Sequence, residues 1–133
     1  MEHKNIEIDF NFYVTDGDED TIEENEDDII FYCEEAAYKY VCDNYLEYNS
    51  YNRYMEAKTH NTYWNGYNDL VVPVTVSFNV EEYAEYEEID YDTAYKKIME
   101  LLNGIAGDRI SISDEGIYTK YDIYVDEVVD ISL

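Results

Sequence analysis

Carboxylates are the residues of this chain that could do chemistry, and their spacing decides which chemistry is open to them. Asp16, Asp18 and Asp20 stand at the first, third and fifth positions of a calcium loop. The sixth position is Thr21 where such a loop needs Gly, the eighth is Glu23 where it needs an apolar residue, and the twelfth is Asp27 in place of Glu. Loose condensation of cations is therefore expected there, not a calcium site. A soft-metal site has poorer material still, because His3 and His60 are the only histidines and the only thiols are Cys33 and Cys42. Nothing in the sequence places His60 beside either cysteine, as nucleophilic catalysis would require. No glycine-rich phosphate loop is present, and carboxylate pairs are so abundant that their occurrence identifies no glycosidase. No metal, cofactor or catalytic residue is expected, and the chain reads as a non-enzyme.

The 133 residues carry 33 Asp and Glu against 8 Lys and Arg, a formal charge of −25. Charge of that size opposes compaction while keeping a chain soluble and monomeric. Abundant Tyr and Asn with scarce Ala, Pro and Arg fit AT-rich coding, which should also supply many lysines, yet only six are present. The acidity therefore reads as selected. A halophile's coat usually accompanies Ala-rich, Tyr-poor chains, and an apolar content of 46% with clear periodicity opposes intrinsic disorder. Direct nucleic-acid binding is disfavoured, since phosphate contacts need clustered Lys and Arg.

The acids fall in blocks. Thr15 to Asp28 holds nine carboxylates and no base, a second block comprises Glu81, Glu82, Glu85, Glu87, Glu88, Asp90 and Asp92, and a third lies around Asp122, Asp126, Glu127 and Asp130. One charge run is usually a solvated face; three runs with selective loss of lysine point to a basic partner.

The elements that must carry these blocks are legible from periodicity. Ile6, Ile8, Phe10, Phe12 and Val14 alternate with polar residues as in a half-buried strand. Thr21 and Glu24 form a capping-box pattern, and Ile22, Ile29, Ile30, Cys33, Ala37, Tyr40 and Val41 predict one long helix from about 21 to 48. Cys33 and Cys42 on it would lie on opposite faces, roughly 13 Å apart, and could not bond each other. Thr59 to Trp64 and Tyr67 to Val80 flank Asn65-Gly66, a two-residue type I′ turn signal, with Pro73 favouring an edge or bulge. After an acidic link, Ala94, Ile98, Leu101, Leu102 and Ile105 mark a second helix, capped by Asp90 or Asp92 and closing near Asn103-Gly104. Arg109 to Ser113 and Ile117 to Val125 read as a final hairpin through Asp114-Glu-Gly116. The expected fold is one α+β domain over residues 1–133: a mostly antiparallel sheet with two helices on one face, in the order β-α-β-β-α-β-β. The N-terminal residues lack an apolar signal region and no run approaches the roughly 18 residues of a membrane span, so a cytosolic location is expected.

On the long helix, Glu24, Asp28 and Glu35 fall within about 40° of one another, opposite Ile22 and Cys33, with axial gaps of roughly 6 and 10 Å. Duplex DNA carries about one charge per 1.7 Å of axis, so carboxylates on a rigid helix can approximate its phosphate spacing. Such a surface is drawn to clefts where Arg and Lys await phosphate. Tyr63, Trp64 and Tyr67 at the hairpin tip and the segment Tyr48 to Tyr54 add the aromatic and amide groups of protein-binding surfaces, with Phe31, Tyr38 and Tyr45 near the acidic helix face.

In size, acidity, Tyr and Asn richness and α+β pattern the chain resembles the phage-encoded DNA-mimic inhibitors of bacterial defence nucleases, including anti-CRISPR proteins against Cas9. The resemblance covers the whole chain by composition and rests on no motif. It implies an inhibitor in the bacterial host cytoplasm whose carboxylates, from Asp16 to Asp28 or from Glu81 to Asp92, occupy the arginine-bearing site that reads the PAM. An immunity protein or antitoxin against a basic nuclease toxin would use the same electrostatics, and a small-molecule or enzymatic role is the third class.

Overall fold

The computed structural model describes residues 4–16, 19–45, 54–66, 69–114 and 119–132. Strand β1 (Lys4–Asp16) is followed by helices α1 (Glu19–Glu24) and α2 (Glu26–Tyr45), then strands β2 (Met55–Thr59), β3 (Tyr63–Trp64) and β4 (Leu70–Asn79). Helices α3 (Val80–Glu87) and α4 (Tyr91–Ile105) lead to β5 (Arg109–Asp114) and β6 (Thr119–Ser132). The sheet runs β2-β4-β1-β6-β5, every pairing antiparallel, with β3 beside β4 at the β2 edge.

β1 sits at the centre because its alternation is the strongest in the chain. Ile6, Ile8, Phe10, Phe12 and Val14 are all fully buried and meet Val72, Val74, Val76 and Phe78 of β4 and Tyr121, Ile123 and Val125 of β6 in one core. The four helices among the described residues cover this face. α2 lays Ile29, Cys33, Ala37 and Val41 on it at four-residue intervals, and α4 contributes Ala94, Ile98, Leu101, Leu102 and Ile105. The Phe10 ring takes the edge of Tyr40 at 6.0 Å, and the Tyr40 hydroxyl donates to Asp108 Oδ2 at 2.6 Å. Tyr54 stacks on Phe78 and meets Tyr83 edge-on, closing the core at the β2 side.

The helices differ from expectation in number, four among the described residues instead of two. The long helix breaks at Asn25, whose side-chain amide donates to the Thr21 carbonyl at 2.8 Å while its backbone N–H is shared between the Thr21 and Ile22 carbonyls. Local side-chain bonding of this kind competes with the regular ladder. The last expected residues of that helix, 46–48, lie outside the described residues. The acidic link is helix α3: Asn79 caps it by accepting the Glu82 N–H at 3.1 Å, and Val80, Tyr83 and Ala84 bury one stripe. Its density of glutamates hid the three-residue stripe.

The central hairpin is also corrected. Asn65 N–H donates to the Asp69 carbonyl and Asp69 N–H to the Asn65 side chain, both at 3.0 Å, and Trp64 pairs with Leu70, so the connection is longer than the two-residue type I′ turn. β4 accordingly starts at Leu70, and Val80 belongs to α3. The expected first arm divides into β2 and β3. His60 N–H donates to the Pro73 carbonyl at 2.9 Å, and Pro73 has no N–H to return on that side, so the β2 ladder ends there. Pro73 thus lies in a strand second from the edge, facing the gap between two short partners. β6 runs on to Ser132 through a bulge in which Asp126 and Glu127 oppose Asp9. The expected start of β6 at Ile117 lies outside the described residues. Among the described residues no helix is long and apolar enough to cross a membrane.

α4 is capped by Asp90, one of the two expected caps, which accepts the Thr93 N–H at 2.7 Å. That hydrogen bond, the Thr93 side chain and nearby Lys96 hold the Asp90 carboxyl below its ordinary value. A folded-state pKa below the unfolded one adds stability at higher pH that is lost as pH falls through the folded value. Asp90→Asn keeps a capping oxygen without the charge, so its melting temperature should fall less steeply than that of the native chain as pH drops from about 5 to about 2. Parallel slopes in thermal melts would remove this role.

Candidate functional site: two acidic ends and an open sheet face

The length of β1 sets the distance between the first two acidic blocks. β1 delivers Asp16 to one end of the sheet, where α1 begins at Glu19; α3 begins at the other end, where Asn79 pairs with Asn5. From Asn5 to Asp16 an extended strand spans about 36 Å. The blocks therefore stand at opposite ends of one rigid sheet and cannot form a single patch.

At the first end Asp20 lies exposed in the opening turn of α1, Glu24 is its exposed last residue, and Asp28 is exposed in the first turn of α2. Glu35 is exposed farther along α2, next to Glu34, whose partner Thr59 lies level with Val74 and Phe10 in mid-sheet. Asp28 and Glu35 keep the common helix face expected of them, whereas Glu24 belongs to the preceding helix, so the three do not share one uninterrupted axis. Phe31, 61% exposed, lies between Asp28 and Glu35 on that face. Not all of this block points outward: Glu26 accepts the Thr62 hydroxyl at 2.7 Å, and Glu34 accepts the Thr59 N–H at 2.9 Å. These two carboxylates fasten the β2–β3 connection to α2. Asp18 lies outside the described residues, and only the backbone of Asp16 is described.

At the second end Glu82, Glu85, Glu87 and Glu88 are exposed along α3 and its C-terminus, with Glu81 half-buried. Asp90 and Asp92 are exposed at the start of α4. Of the hairpin-tip aromatics, Tyr63 is 53% exposed, Trp64 is half-buried against the core, and Tyr67 lies outside the described residues. Tyr38 packs against the core and Tyr54 lies within it. Cys33 and Cys42 are both fully buried and neither is in a disulfide, while His60 is exposed on the other side of the sheet.

The face of the sheet away from the helices carries polar groups that the sequence showed only as alternating positions. Cross-strand pairing places Glu7, Asp9, Asn11 and Tyr13 of β1 beside Thr75 and Ser77 of β4 and Asp122, Tyr124 and Asp126 of β6. Asn11 Nδ2 donates to Asp126 Oδ2 at 2.9 Å, and Ser111 Oγ donates to Asp122 Oδ1 at 2.7 Å. The Thr75 hydroxyl donates to Asp9 Oδ1 at 2.6 Å, so its oxygen must accept from His60 Nε2, 2.5 Å away. In a nucleophilic triad the carboxylate orients the histidine and the histidine deprotonates the hydroxyl. Here the carboxylate holds the hydroxyl proton, and the arrangement locks β2, β4 and β1 together without activating a nucleophile. Among the described residues no group of three or more His, Cys, Asp or Glu side chains is arranged to hold a metal ion.

Near the α1 end this open face becomes concave. A cavity of about 430 Å³ is lined by Tyr13, Tyr63, Tyr124, Asn65, Asp69 and Asp122, together with Thr15 and Gly66. The Tyr13 and Tyr124 rings meet edge-to-face at 5.2 Å, and the Arg109 guanidinium lies 5.2 Å from the Tyr124 centroid. Burial first, then Tyr63, Tyr124 and Asp126, push the Tyr13 hydroxyl above its ordinary pKa. Sequence inspection could have found Tyr13 and Tyr124 only with the register that pairs β1 with β6.

Comparison with protein-family models, curated proteins and solved structures finds no match.

Proposed function

We propose that this chain is an acidic inhibitor that binds the basic nucleic-acid-binding cleft of a bacterial defence nuclease, standing in for DNA and blocking recognition of DNA and its PAM. It acts by binding, without catalysis or cofactor. The observation that carries this reading is the placement of exposed acidic segments, at the starts of α1 and α2 and along α3, toward opposite ends of the central strand, whose span of about 36 Å is close to one turn of duplex, 34–36 Å. A cleft built for DNA presents arginines at such intervals, and bidentate Arg–carboxylate pairs replace Arg–phosphate or Arg–guanine contacts. Exposed Phe31 among Asp28 and Glu35 adds an apolar anchor within a charged rim, the composition expected of a binding surface.

The test uses purified Cas9-type effector with guide RNA, and a basic nuclease toxin in a parallel arm. Inhibition of cleavage should require pre-incubation before DNA, be relieved by excess PAM-bearing duplex, and weaken steeply between low and physiological salt, because screening shortens the range of steering. Inhibition of the toxin alone would reassign the chain to immunity. No inhibition of either nuclease, or inhibition insensitive to both duplex and salt, would overturn the mimicry.

A further inference from the structure

The tyrosine-lined cavity at the α1 end has no part in the charge argument above, yet its walls select a ligand class. Tyr63, Val71, Tyr13, Asp122 and Ser111 form one row across β3, β4, β1, β6 and β5. Val71, fully buried, pairs with Tyr63 on one side and with Tyr13 on the other, giving the row an apolar centre. Around it stand three aromatic rings and two carboxylates, Asp69 and Asp122. Ring faces are the negative ends of their quadrupoles, and carboxylates beside them add full negative charge. Both wall types disfavour an anion. A cation satisfies both wall types.

Two features favour a planar cation over a compact one. Guanidinium stacks on aromatic faces and forks onto carboxylates, whereas ammonium is a strongly hydrated point charge. The molecule already supplies an internal precedent, since Arg109 holds its guanidinium over Tyr124 from the neighbouring strand. The cavity lies on the sheet face opposite α1 and α2, at the end where β1 closes at Asp16 and the first acidic block begins, so a basic partner that reaches around this end meets both.

We infer that the cavity lined by Tyr13, Tyr63, Tyr124, Asp69 and Asp122 is a subsite for one arginine side chain of the basic partner. This deepens the proposed function and rests on it for the source of the arginine, but the subsite itself is testable without any partner.

The probe is the capped tripeptide acetyl-Gly-Arg-Gly-amide, titrated into the whole chain and followed by the amide and ring resonances of Tyr13, Tyr63 and Tyr124. The comparison peptides carry lysine or the uncharged isostere citrulline. Saturable shifts confined to the cavity should occur with arginine, be at least fivefold weaker with lysine and be absent with citrulline. Tyr63→Ala should weaken arginine binding at least tenfold, and so should the isosteric Asp122→Asn. Glu100→Lys, exposed on α4 and outside the acidic blocks, should leave it within twofold. An unchanged amide spectrum elsewhere confirms that each variant is folded, which the exposure of Tyr63 favours. Equal shifts with arginine and lysine, shifts spread over the acidic helices, or full binding by Tyr63→Ala would overturn the subsite. Such a failure leaves nuclease inhibition standing. Conversely, a working subsite in a chain that inhibits no nuclease would sink the mimicry and leave a guanidinium site.

Discussion

Reversing Glu24, Asp28 and Glu35 together to lysine should weaken binding to the basic partner by a factor of about 100 or more, taking roughly 1 kcal/mol per reversed contact and tenfold per 1.4 kcal/mol. The effect exceeds simple removal of charge because lysine placed opposite a cleft arginine adds like-charge repulsion. All three side chains are exposed and none supports the core, so the fold should persist. Each reversal adds two charges, changing −25 to −19, and the lowered self-repulsion should hold or raise the melting temperature. Calorimetric titration at low and physiological salt, with a melt of each sample, is the check. The matching triple at the other end, Glu82, Glu85 and Glu87, separates the two ends: a comparable loss shows both ends in contact, and no loss there confines the interface to α1 and α2. Retention of full affinity by both triples would remove the acidic helices from the interface.

Phe10→Ala should be the most damaging single substitution, costing about 3–5 kcal/mol, a large part of the stability of a domain of this size. Phe10 is fully buried in the central strand and takes the edge of Tyr40, whose hydroxyl bonds Asp108 just before β5. Its loss therefore leaves a cavity and loosens α2 from the segment that starts β5. Self-repulsion at −25 makes the remaining stability dependent on salt. The variant should unfold without a sharp transition at low salt and regain a cooperative urea transition at high salt, while Phe10→Leu, nearly conserving volume, should lose about 1 kcal/mol. Equal midpoints for Phe10→Ala and the native chain would mean that the core does not close around this ring.

The same electrostatics give the acidic residues more than one duty. Glu26 and Glu34 lie within or beside the first block and anchor Thr62 and Thr59, and Asp9 fixes the Thr75 hydroxyl. Asp90 caps α4. Part of the acidity is thus spent on local structure, and the outward carboxylates on α1, α2 and α3 are what remains for a partner.

Most of the sheet was legible in the sequence because a strand with one buried face must alternate. The even positions of β1 and β4 declared their burial without knowledge of their neighbours, and the antiparallel sheet covered by helices on one side followed. The extent and clustering of the acidity were equally plain, since charge is a property of composition. The break at Asn25 and helix α3 were hidden because each depends on one or two hydrogen bonds set against the prevailing pattern. The longer connection between β3 and β4 was hidden because Asn65-Gly66 satisfies a local preference that the Asn65–Asp69 bonds override. Only the tertiary structure decided that the first two blocks stand at opposite ends of β1, and only the strand register brought Tyr13, Tyr63 and Tyr124 around one cavity. Side-chain periodicity fixes which face a residue joins, whereas its cross-strand neighbour depends on partners far away in the chain, and no local signal carries that information.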